Sequence, residues 1–273
     1  MNRIYQIYQV SDSTGETLDR IFLAIKAQFA NFECKTIHFS FTRTENQINN
    51  ILNKCKEQEN VIILYTIVDD SLAKYLNLKC KEINIPCFEV LGNLISSFSK
   101  LLKKKASHKP SAQHILDEEY YKRIEAVQFT IAHDDGKVIS DLENSDVVLV
   151  GISRTSKTPT SIYLANRGYK VANIPLILNK DIPKHLIESS KKTCTIGLVC
   201  DVARLSDVRR NRIHSMHEDR PSDYTNEKKI KNELENSKEL FKKCNWPVID
   251  VTRKSVEETA ASIIKILDIL NSK

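Results

Sequence analysis

Short apolar runs alternate with helical periodicities through residues 1–92, and this alternation constrains the fold more than any other feature. The run 61–67 is continuously apolar, as in a strand that is buried on both faces of a parallel sheet. Strand patterns also occupy residues 4–10, 36–41 and 86–91, and helical patterns occupy residues 18–29, 45–57 and 71–83. Strands separated by helices predict crossover connections and a parallel sheet. The segment is therefore predicted to be a small N-terminal α/β domain.

The first helix has a predicted start and a predicted buried face. Ser13 and Glu16 have the spacing of a capping box, which predicts that the helix begins beside them. Apolar residues then recur at the spacing of one buried helical stripe. They are Leu18, Ile21, Phe22, Ile25 and Phe29.

A second α/β domain is predicted for residues 146–273, after a mainly helical connector at 93–145. The connector should contain a helix at 120–132 that ends at His133-Asp134-Asp135-Gly136, with Gly136 in the left-handed conformation. Strands are expected at 146–150, 170–174, 193–200 and 248–251, and helices at 158–166, 181–189 and 203–243. The fold class is thus α/β, with a parallel sheet in the C-terminal domain.

The C-terminal helix repeats two patterns seen in the first one. Ser255 and Glu258 again have capping-box spacing. The apolar residues Ile263, Ile264, Leu267 and Leu270 are expected to form the buried face of this helix.

The composition excludes several classes of protein. The chain has 273 residues, of which 41% are hydrophobic and 28% charged, as in globular proteins rather than disordered or fibrous ones. Its seven cysteines are scattered without a CxxC pair, which favours reduced thiols over disulfides or a zinc site. No segment approaches the ~20 apolar residues of a membrane span, so we expect a cytoplasmic protein without a membrane partner. The net charge of +6 is interleaved with acids, which favours small acidic ligands over nucleic acid.

Residues 151–158 have nearly the form of a phosphate-binding loop. Gly151 follows an apolar strand, and Lys157 and Thr158 follow after five residues, at the start of a predicted helix. Such a loop uses backbone N–H groups and a lysine for phosphates, and a hydroxyl for a metal ion. Ser156 stands where glycine is usual, because that position needs a backbone conformation that glycine adopts without steric cost. A hydroxyl-rich turn with a chance lysine is the alternative.

Other polar residues have both a structural and a functional interpretation. Asp201 ends a predicted strand, where a metal-orienting acid or a base would lie, but strand-end aspartates are also common. His133-Asp134-Asp135 suits proton transfer or metal binding, or forms only a helix-ending turn. Ser11 to Thr17 could bind an anion or simply cap a helix. The segment 250–252 is a candidate neighbour of an adenine ring, by analogy alone. The arginines that follow residue 201 could close over phosphates or form a solvated basic face; they are Arg204, Arg209, Arg210 and Arg212.

Five blocks of sequence resemble the pyruvate, phosphate dikinase regulatory protein family. They span residues 10–260, so the resemblance covers nearly the whole chain. The blocks are 10–17, 121–126, 133–136, 148–165 together with 168–175, and 248–260. Thr155-Ser156 looks like the dikinase branch, because a sister branch that acts on phosphoenolpyruvate synthase tends to have glycine before the loop lysine.

The resemblance implies a P-loop-kinase-like C-terminal domain and a bifunctional enzyme that acts on a dikinase. With ADP as donor, such enzymes phosphorylate a threonine of the dikinase and inactivate it. With inorganic phosphate, they remove that phosphoryl group, release pyrophosphate and restore activity. Lys157 and Asp201 are the predicted catalytic residues, and Thr158 is the predicted ligand of Mg²⁺. The residues predicted to bind ADP are Gly151, Ile152, Ser153, Arg154, Thr155, Ser156, Lys157 and Thr158.

Several alternatives remain open at this point. The same chemistry could act on phosphoenolpyruvate synthase, the chain could be a small-molecule kinase that uses ATP, or it could be a non-catalytic nucleotide-binding regulator. A homodimer is plausible because closed dimers are common among enzymes.

Overall fold

The computed structural model describes residues 3–112, 117–138, 140–177, 184–215 and 223–272. The chain divides into two compact units, Met1–Ile115 and Leu116–Lys273. Each unit contains one four-stranded parallel sheet, which confirms the predicted α/β class.

The first unit alternates strands and helices as its sequence pattern predicts. Its elements are β1 (Tyr5–Ser11), α1 (Glu16–Lys26), β2 (Cys34–Phe39), α2 (Glu45–Lys56), β3 (Val61–Thr66), α3 (Asp70–Glu82), β4 (Cys87–Glu89) and α4 (Gly92–Leu102). The strand order is β2-β1-β3-β4. Because α1 packs on one face of this sheet and α2 and α3 on the other, β1 and β3 are covered on both sides. This explains the nearly continuous apolar sequence of β3, whereas β1 contains Gln6 and Gln9 among its apolar residues.

The start of α1 differs from the prediction. The N-cap residue is Gly15, with φ 91° and ψ −2°, and Glu16 is the first helical residue. The proposed capping box of Ser13 and Glu16 is therefore wrong, because Ser13 lies two residues before the cap. The predicted stripe is also only partly buried: Leu18 and Phe22 are in the core, whereas Phe29 lies beyond the end of the helix and is exposed.

The second unit has the same strand order as the first. Its elements are α5 (Glu118–Ala132), β5 (Val147–Gly151), α6 (Lys157–Ala165), β6 (Val171–Pro175), α7 (Lys184–Ser189), β7 (Cys194–Val199), α8 (Val202–Ser215), α9 (Glu227–Lys243), β8 (Val248–Asp250) and α10 (Val256–Asn271). The order β6-β5-β7-β8 repeats β2-β1-β3-β4. In both sheets, the first strand therefore has neighbours on both sides, and ligands of open α/β sheets bind beyond the carboxyl ends of strands at such a point.

Helix α10 begins as predicted and ends differently. Ser255 and Glu258 form the expected capping box, with hydrogen bonds in both directions. Ile263 and Leu267 are buried as expected, but Leu270 is 47% exposed, so the buried face stops before the last turn.

The residues predicted to form a connector are divided between the two units. Helix α4 lies in the first unit, whereas α5 packs against α6 and β6 of the second. Residues 113–116 and 139 of this segment, and residues 181–183 of the predicted helix 181–189, lie outside the described ranges. The predicted charged helix at 203–243 is two helices, α8 and α9. Within the described ranges, no helix is both long enough and apolar enough to cross a bilayer.

Candidate active site

The loop between β5 and α6 begins with a close backbone approach at Gly151. A Cβ atom on this residue would lie 2.7 Å from the carbonyl oxygen of Leu198 and 2.8 Å from Oγ1 of Thr155. Real Cβ contacts are longer than this, so only glycine fits without a shift of the neighbouring strand. The strand itself is fully buried, and its carboxyl end therefore holds the loop in a fixed place in the fold.

Two residues without glycine's freedom occupy the left-handed region in this loop. Arg154 has φ 75°, and Ser156 has φ 59° and ψ 22°. The expectation that position 156 needs a glycine-like backbone is confirmed, although the residue is serine. Each such residue costs roughly 1–2 kcal/mol. Strain of this kind persists where the surrounding structure enforces it, and it is common at ligand-binding turns.

Lys157 is folded into the loop. Its side chain is 5% exposed, and Nζ donates a hydrogen bond of 2.9 Å to the carbonyl oxygen of Ile152. The same oxygen accepts a hydrogen bond of 3.0 Å from Oγ1 of Thr155. Burial lowers the pKa of Lys157 to about 8, and the carboxylates of Asp135 and Asp134 oppose this change. The ammonium group is therefore poorly solvated, which favours contact with an incoming anion.

Thr158 forms a hydrogen-bonded cluster with residues from two other segments. Its Oγ1 donates to Oδ1 of Asp134 over 3.0 Å. Nδ2 of Asn173, on β6, donates to the same carboxylate oxygen over 2.6 Å and to Thr158 Oγ1 over 2.9 Å. Oδ1 of Asn173 is buried and has no hydrogen-bond partner among the described residues. The predicted metal-binding hydroxyl thus lies between a carboxylate oxygen and the side-chain amide of Asn173.

His133 holds Asp134 in this position. The imidazole is buried, stacks on Phe129 with 3.8 Å between ring centroids, and has Nε2 2.8 Å from Oδ1 of Asp141. The His133 carbonyl accepts a hydrogen bond of 3.0 Å from the backbone N–H of Asn173. The chain then turns through Asp135 and Gly136, with φ 55° and 68°. The left-handed conformation predicted for Gly136 is confirmed.

A cavity of about 210 Å³ opens beside the loop. Its lining contains one carboxylate, Asp135, and two cationic side chains, Lys157 and Arg154. The rest of the lining consists of Ser153, Ser156, Thr158, Pro159, Pro175 and Val208. A cavity with cationic side chains at the N-terminus of a helix suits a phosphate group.

Asp201 has a structural task at another place. Its Oδ1 accepts hydrogen bonds from the backbone N–H groups of Ala203 and Arg204, at 2.8 and 3.3 Å, so it caps helix α8. Asp201 is outside the described lining of the 210 Å³ cavity. A catalytic role for Asp201 stays a prediction, and Asp134 and Asp135 are the acids that the structure brings to the loop.

Arg209 is the arginine of α8 that reaches the loop, and it does so from the interior. It is 1% exposed, with Nη2 donating to Glu233 Oε2 at 2.7 Å and to the Ser153 carbonyl at 3.2 Å. Nη1 donates to the carbonyl of Tyr224, and the guanidinium lies over the Tyr224 ring. Arg209 therefore supports the loop and is not part of an exposed basic lid. The other three arginines for which a lid is the alternative to a solvated basic face are exposed: Arg204, Arg210 and Arg212.

Thr252 connects the ends of β7 and β8. Its Oγ1 accepts a hydrogen bond of 2.9 Å from the backbone N–H of Asp201. Hydrogen bonds from Thr252 also hold the pKa of Asp250 below its ordinary value. A position of this segment beside an adenine ring stays a prediction.

The chain has relatives that match it over nearly its whole length. Residues 7–264 match the sequence profile of the kinase/pyrophosphorylase family. The chain belongs to this family. A pyruvate, phosphate dikinase regulatory protein of Pelagibacter ubique (strain HTCC1062) is 59% identical over 269 residues, which cover 98% of each chain. Proteins of the same name from Bartonella tribocorum and Chelativorans sp. (strain BNC1) are 44% and 42% identical, over 96% of this chain and 95% and 96% of theirs. As a member of a kinase/pyrophosphorylase family, the chain is an enzyme of phosphoryl transfer.

The sequence does not predict Asn173 as part of the candidate site, and it does not place Asp134 and Asp135 beside the loop. Asn173 has no local pattern that distinguishes it from any other residue of a buried strand. For Asp134 and Asp135 the sequence indicates proton transfer or metal binding, or only a helix-ending turn, without their partners in the loop. Their closeness to Thr158 and Lys157 depends on the packing of α5 beside α6, which no local pattern reveals.

Proposed function

We propose that this protein is a bifunctional regulator of a pyruvate, phosphate dikinase. In one direction it transfers the β-phosphoryl group of ADP to a threonine hydroxyl, which gives phosphothreonine and AMP and releases the hydroxyl proton. In the other direction it transfers the phosphoryl group of phosphothreonine to inorganic phosphate, which gives pyrophosphate and restores the hydroxyl. The carrying observation is the buried Lys157 beside Thr158 at the start of α6, in a chain 59% identical to a dikinase regulatory protein.

The residues of the loop have distinct roles in this proposal. The backbone N–H groups of residues 151–158 and the N-terminal end of α6 bind the phosphates of ADP. Lys157 leaves the Ile152 carbonyl and neutralises charge on the transferred group. Since phosphoryl transfer depends mainly on positioning and charge stabilisation, these groups account for most of the catalysis. Arg154, at the open side of the cavity, adds a second positive charge.

The cluster around Thr158 fits Mg²⁺. Hard cations prefer oxygen ligands, and Mg²⁺ usually takes one or two carboxylates together with substrate phosphates and water. Thr158, Asp134 and Asn173 provide such oxygen atoms, and the Asn173 Oδ1 is buried without a partner in the described chain. Among the described residues, no group of three or more His, Cys, Asp and Glu could hold a metal ion alone. The ion would therefore need phosphate oxygens as further ligands, where it would neutralise phosphate charge.

Asp135 is the best-placed candidate for the base that receives the threonine proton. Its carboxylate lines the same cavity as Lys157, and the two groups interact electrostatically. Asp135 also has a left-handed backbone, with φ 55°. Strained backbone of this kind is concentrated at functional sites, which favours a functional role for Asp135. Asp201 remains the second candidate.

The test is incubation of the purified protein with a dikinase, phosphoenolpyruvate and ADP that is radiolabelled in its β-phosphate. We expect labelled phosphothreonine on the dikinase and AMP in solution, and then pyrophosphate after addition of inorganic phosphate. Lys157→Ala should lose both reactions, whereas Lys265→Ala, an exposed lysine of α10, should retain them. Asp135→Asn and Asp201→Asn compare the two candidate bases through kcat.

Other results would favour other functions. Transfer from ATP with formation of ADP would indicate a small-molecule kinase. Nucleotide binding without phosphothreonine on the dikinase or on phosphoenolpyruvate synthase would indicate a non-catalytic regulator. Phosphorylation of the synthase but not the dikinase would identify phosphoenolpyruvate synthase as the target, as in the sister branch. Full activity of Lys157→Ala would contradict the assignment of the loop.

A further inference from the structure

The first unit contains a cavity of about 170 Å³ beyond the carboxyl ends of β1 and β3, with serine, threonine and acidic residues in its lining. Since β2 and β3 lie on opposite sides of β1, this is the place where open α/β sheets bind ligands. The loop of residues 151–158 occupies the same place in the second unit, after β5. The topology thus gives each unit one candidate ligand position, and the proposed phosphoryl transfer uses only the second.

The turn before α1 also resembles the turn before α6. Gly15 and Ser156 are the N-cap residues of these helices, and both have positive φ, 91° and 59°. Gly15 has no side chain with which to cap the helix, so the first N–H groups of α1 need another acceptor. The residues that carry them, Glu16 and Thr17, line the cavity.

Ser11 provides a further donor at the floor of this cavity. It is 3% exposed, and its Oγ accepts hydrogen bonds of 3.1 Å from both the Ser13 N–H and the Thr66 hydroxyl. With both lone pairs used, the hydroxyl can only donate its own proton. No acceptor for that proton occurs among the described residues, although a buried donor without an acceptor is costly. The residue lines the cavity, where a bound anion would be the acceptor.

Asp12 adds a buried acceptor to these donors. Its side chain lines the cavity and is 3% exposed, with Oδ2 accepting a hydrogen bond of 2.7 Å from the Val68 N–H. Arg43 bonds to the backbone carbonyl of Asp12 through Nε, at 2.9 Å, and no described cation forms an ion pair with the carboxylate. Burial accordingly raises the pKa of Asp12. A ligand that bears a proton would satisfy this carboxylate.

We propose that the cavity binds inorganic phosphate in its singly or doubly protonated form. Ser11 and the first N–H groups of α1 donate hydrogen bonds to the phosphate oxygens. The Asp12 carboxylate accepts a hydrogen bond from the hydroxyl group of the protonated phosphate. Lys109, which also lines the cavity, supplies a positive charge. Sulfate has the same shape but no proton at neutral pH, so its oxygen atoms repel the carboxylate. The site therefore prefers phosphate to sulfate, and this inference does not rest on the proposed function.

The experiment follows the backbone amides of Glu16 and Thr17 by NMR in the full chain, during titration with inorganic phosphate and, separately, with sulfate. A Lys157→Ala background weakens phosphate binding at the other loop. We expect saturable shifts with phosphate at concentrations roughly tenfold or more below those needed with sulfate, since hydrogen bonds to charged groups are among the strongest.

Three variants in the same background separate recognition from folding. Asp12→Asn should bring the two affinities close to each other, because its amide offers donors to sulfate. Ser11→Ala should weaken both anions by about tenfold and keep their ratio. Asp19→Asn, a carboxylate of α1 outside the described cavity lining, should change neither affinity.

The proposal is overturned if phosphate produces no saturable shift or if sulfate binds equally well to the chain with Asp12. It is also overturned if Asp12→Asn keeps a native amide spectrum together with the preference for phosphate. If Asp12→Asn does not fold, Ser11→Ala decides: unchanged phosphate affinity in that variant overturns the proposal, and the expected tenfold loss supports it.

Discussion

Replacing Lys157 by methionine should stabilise the second unit while it removes activity. In the folded protein, burial lowers the pKa of Lys157 from 10.5 to about 8. At 1.36 kcal/mol per pKa unit, the protonated side chain costs the folded state about 3 kcal/mol at neutral pH. Methionine fills a similar volume without a charge, and the Ile152 carbonyl keeps its hydrogen bond from Thr155. The variant should therefore gain up to about 3 kcal/mol in free energy of unfolding.

The gain should depend on pH in a defined direction. Below about pH 8, Lys157 is protonated in both the folded and the unfolded chain, so the full cost is present. Between about 8 and 10.5, the folded state releases the proton before the unfolded state does, and the cost decreases. The advantage of Lys157→Met should thus be largest at neutral pH and small near pH 10.5.

The chain has one tryptophan, Trp246, which is buried in the second unit and reports the unfolding of that unit. Urea denaturation followed by its fluorescence at about pH 7 and 10 gives the required comparison. Lys265→Met, at an exposed position, should change stability by less than about 0.5 kcal/mol at either pH. The reasoning fails if Lys157→Met is less stable than the parent at neutral pH, or if its gain is equal at the two pH values.

Three further substitutions test other parts of the second unit by the same fluorescence assay. Gly151→Ala should destabilise it by about 1–3 kcal/mol, because the new Cβ would lie 2.7 Å from a backbone oxygen of β7; an unchanged midpoint would contradict the tight approach. Arg209→Met should cost about 3 kcal/mol or more by leaving the half-buried Glu233 carboxylate without its partner, and Glu233→Gln added to it should recover part of the loss. Ser255→Ala should cost about 1 kcal/mol through loss of the capping box, and no loss would mean that water caps α10 equally well.

Much of the fold could be predicted because its determinants are local. The continuous apolar run at 61–67 reflects a strand that is covered on both faces. The alternation of strand patterns with helical periods then predicts a parallel sheet in each unit. The start of α10 was also predictable, since Ser255 and Glu258 are neighbours on one helical turn. The same spacing at Ser13 was misleading, because Gly15 starts α1 two residues later with a backbone that glycine adopts easily.

The candidate site could be predicted only in part, for the same physical reason. Lys157 and Thr158 follow a strand directly, so their place at a helix N-terminus is a local property. Asp134 and Asn173 reach Thr158 through tertiary packing, and no local pattern records such a contact. Asp201 shows the reverse: its position after a strand suggested chemistry, but its side chain caps the helix that follows.

Arg209 connects the loop of residues 151–158 to segments that are distant in the sequence. One guanidinium group bonds to the Ser153 carbonyl in the loop, to the Tyr224 carbonyl, and to Glu233 on α9. If the loop moves outward by more than a hydrogen bond can lengthen, either one of these bonds breaks or α9 moves with the loop. Ligand binding at the loop should therefore change the NMR shifts of the backbone amides of α9, even though this helix begins seventy residues after Lys157.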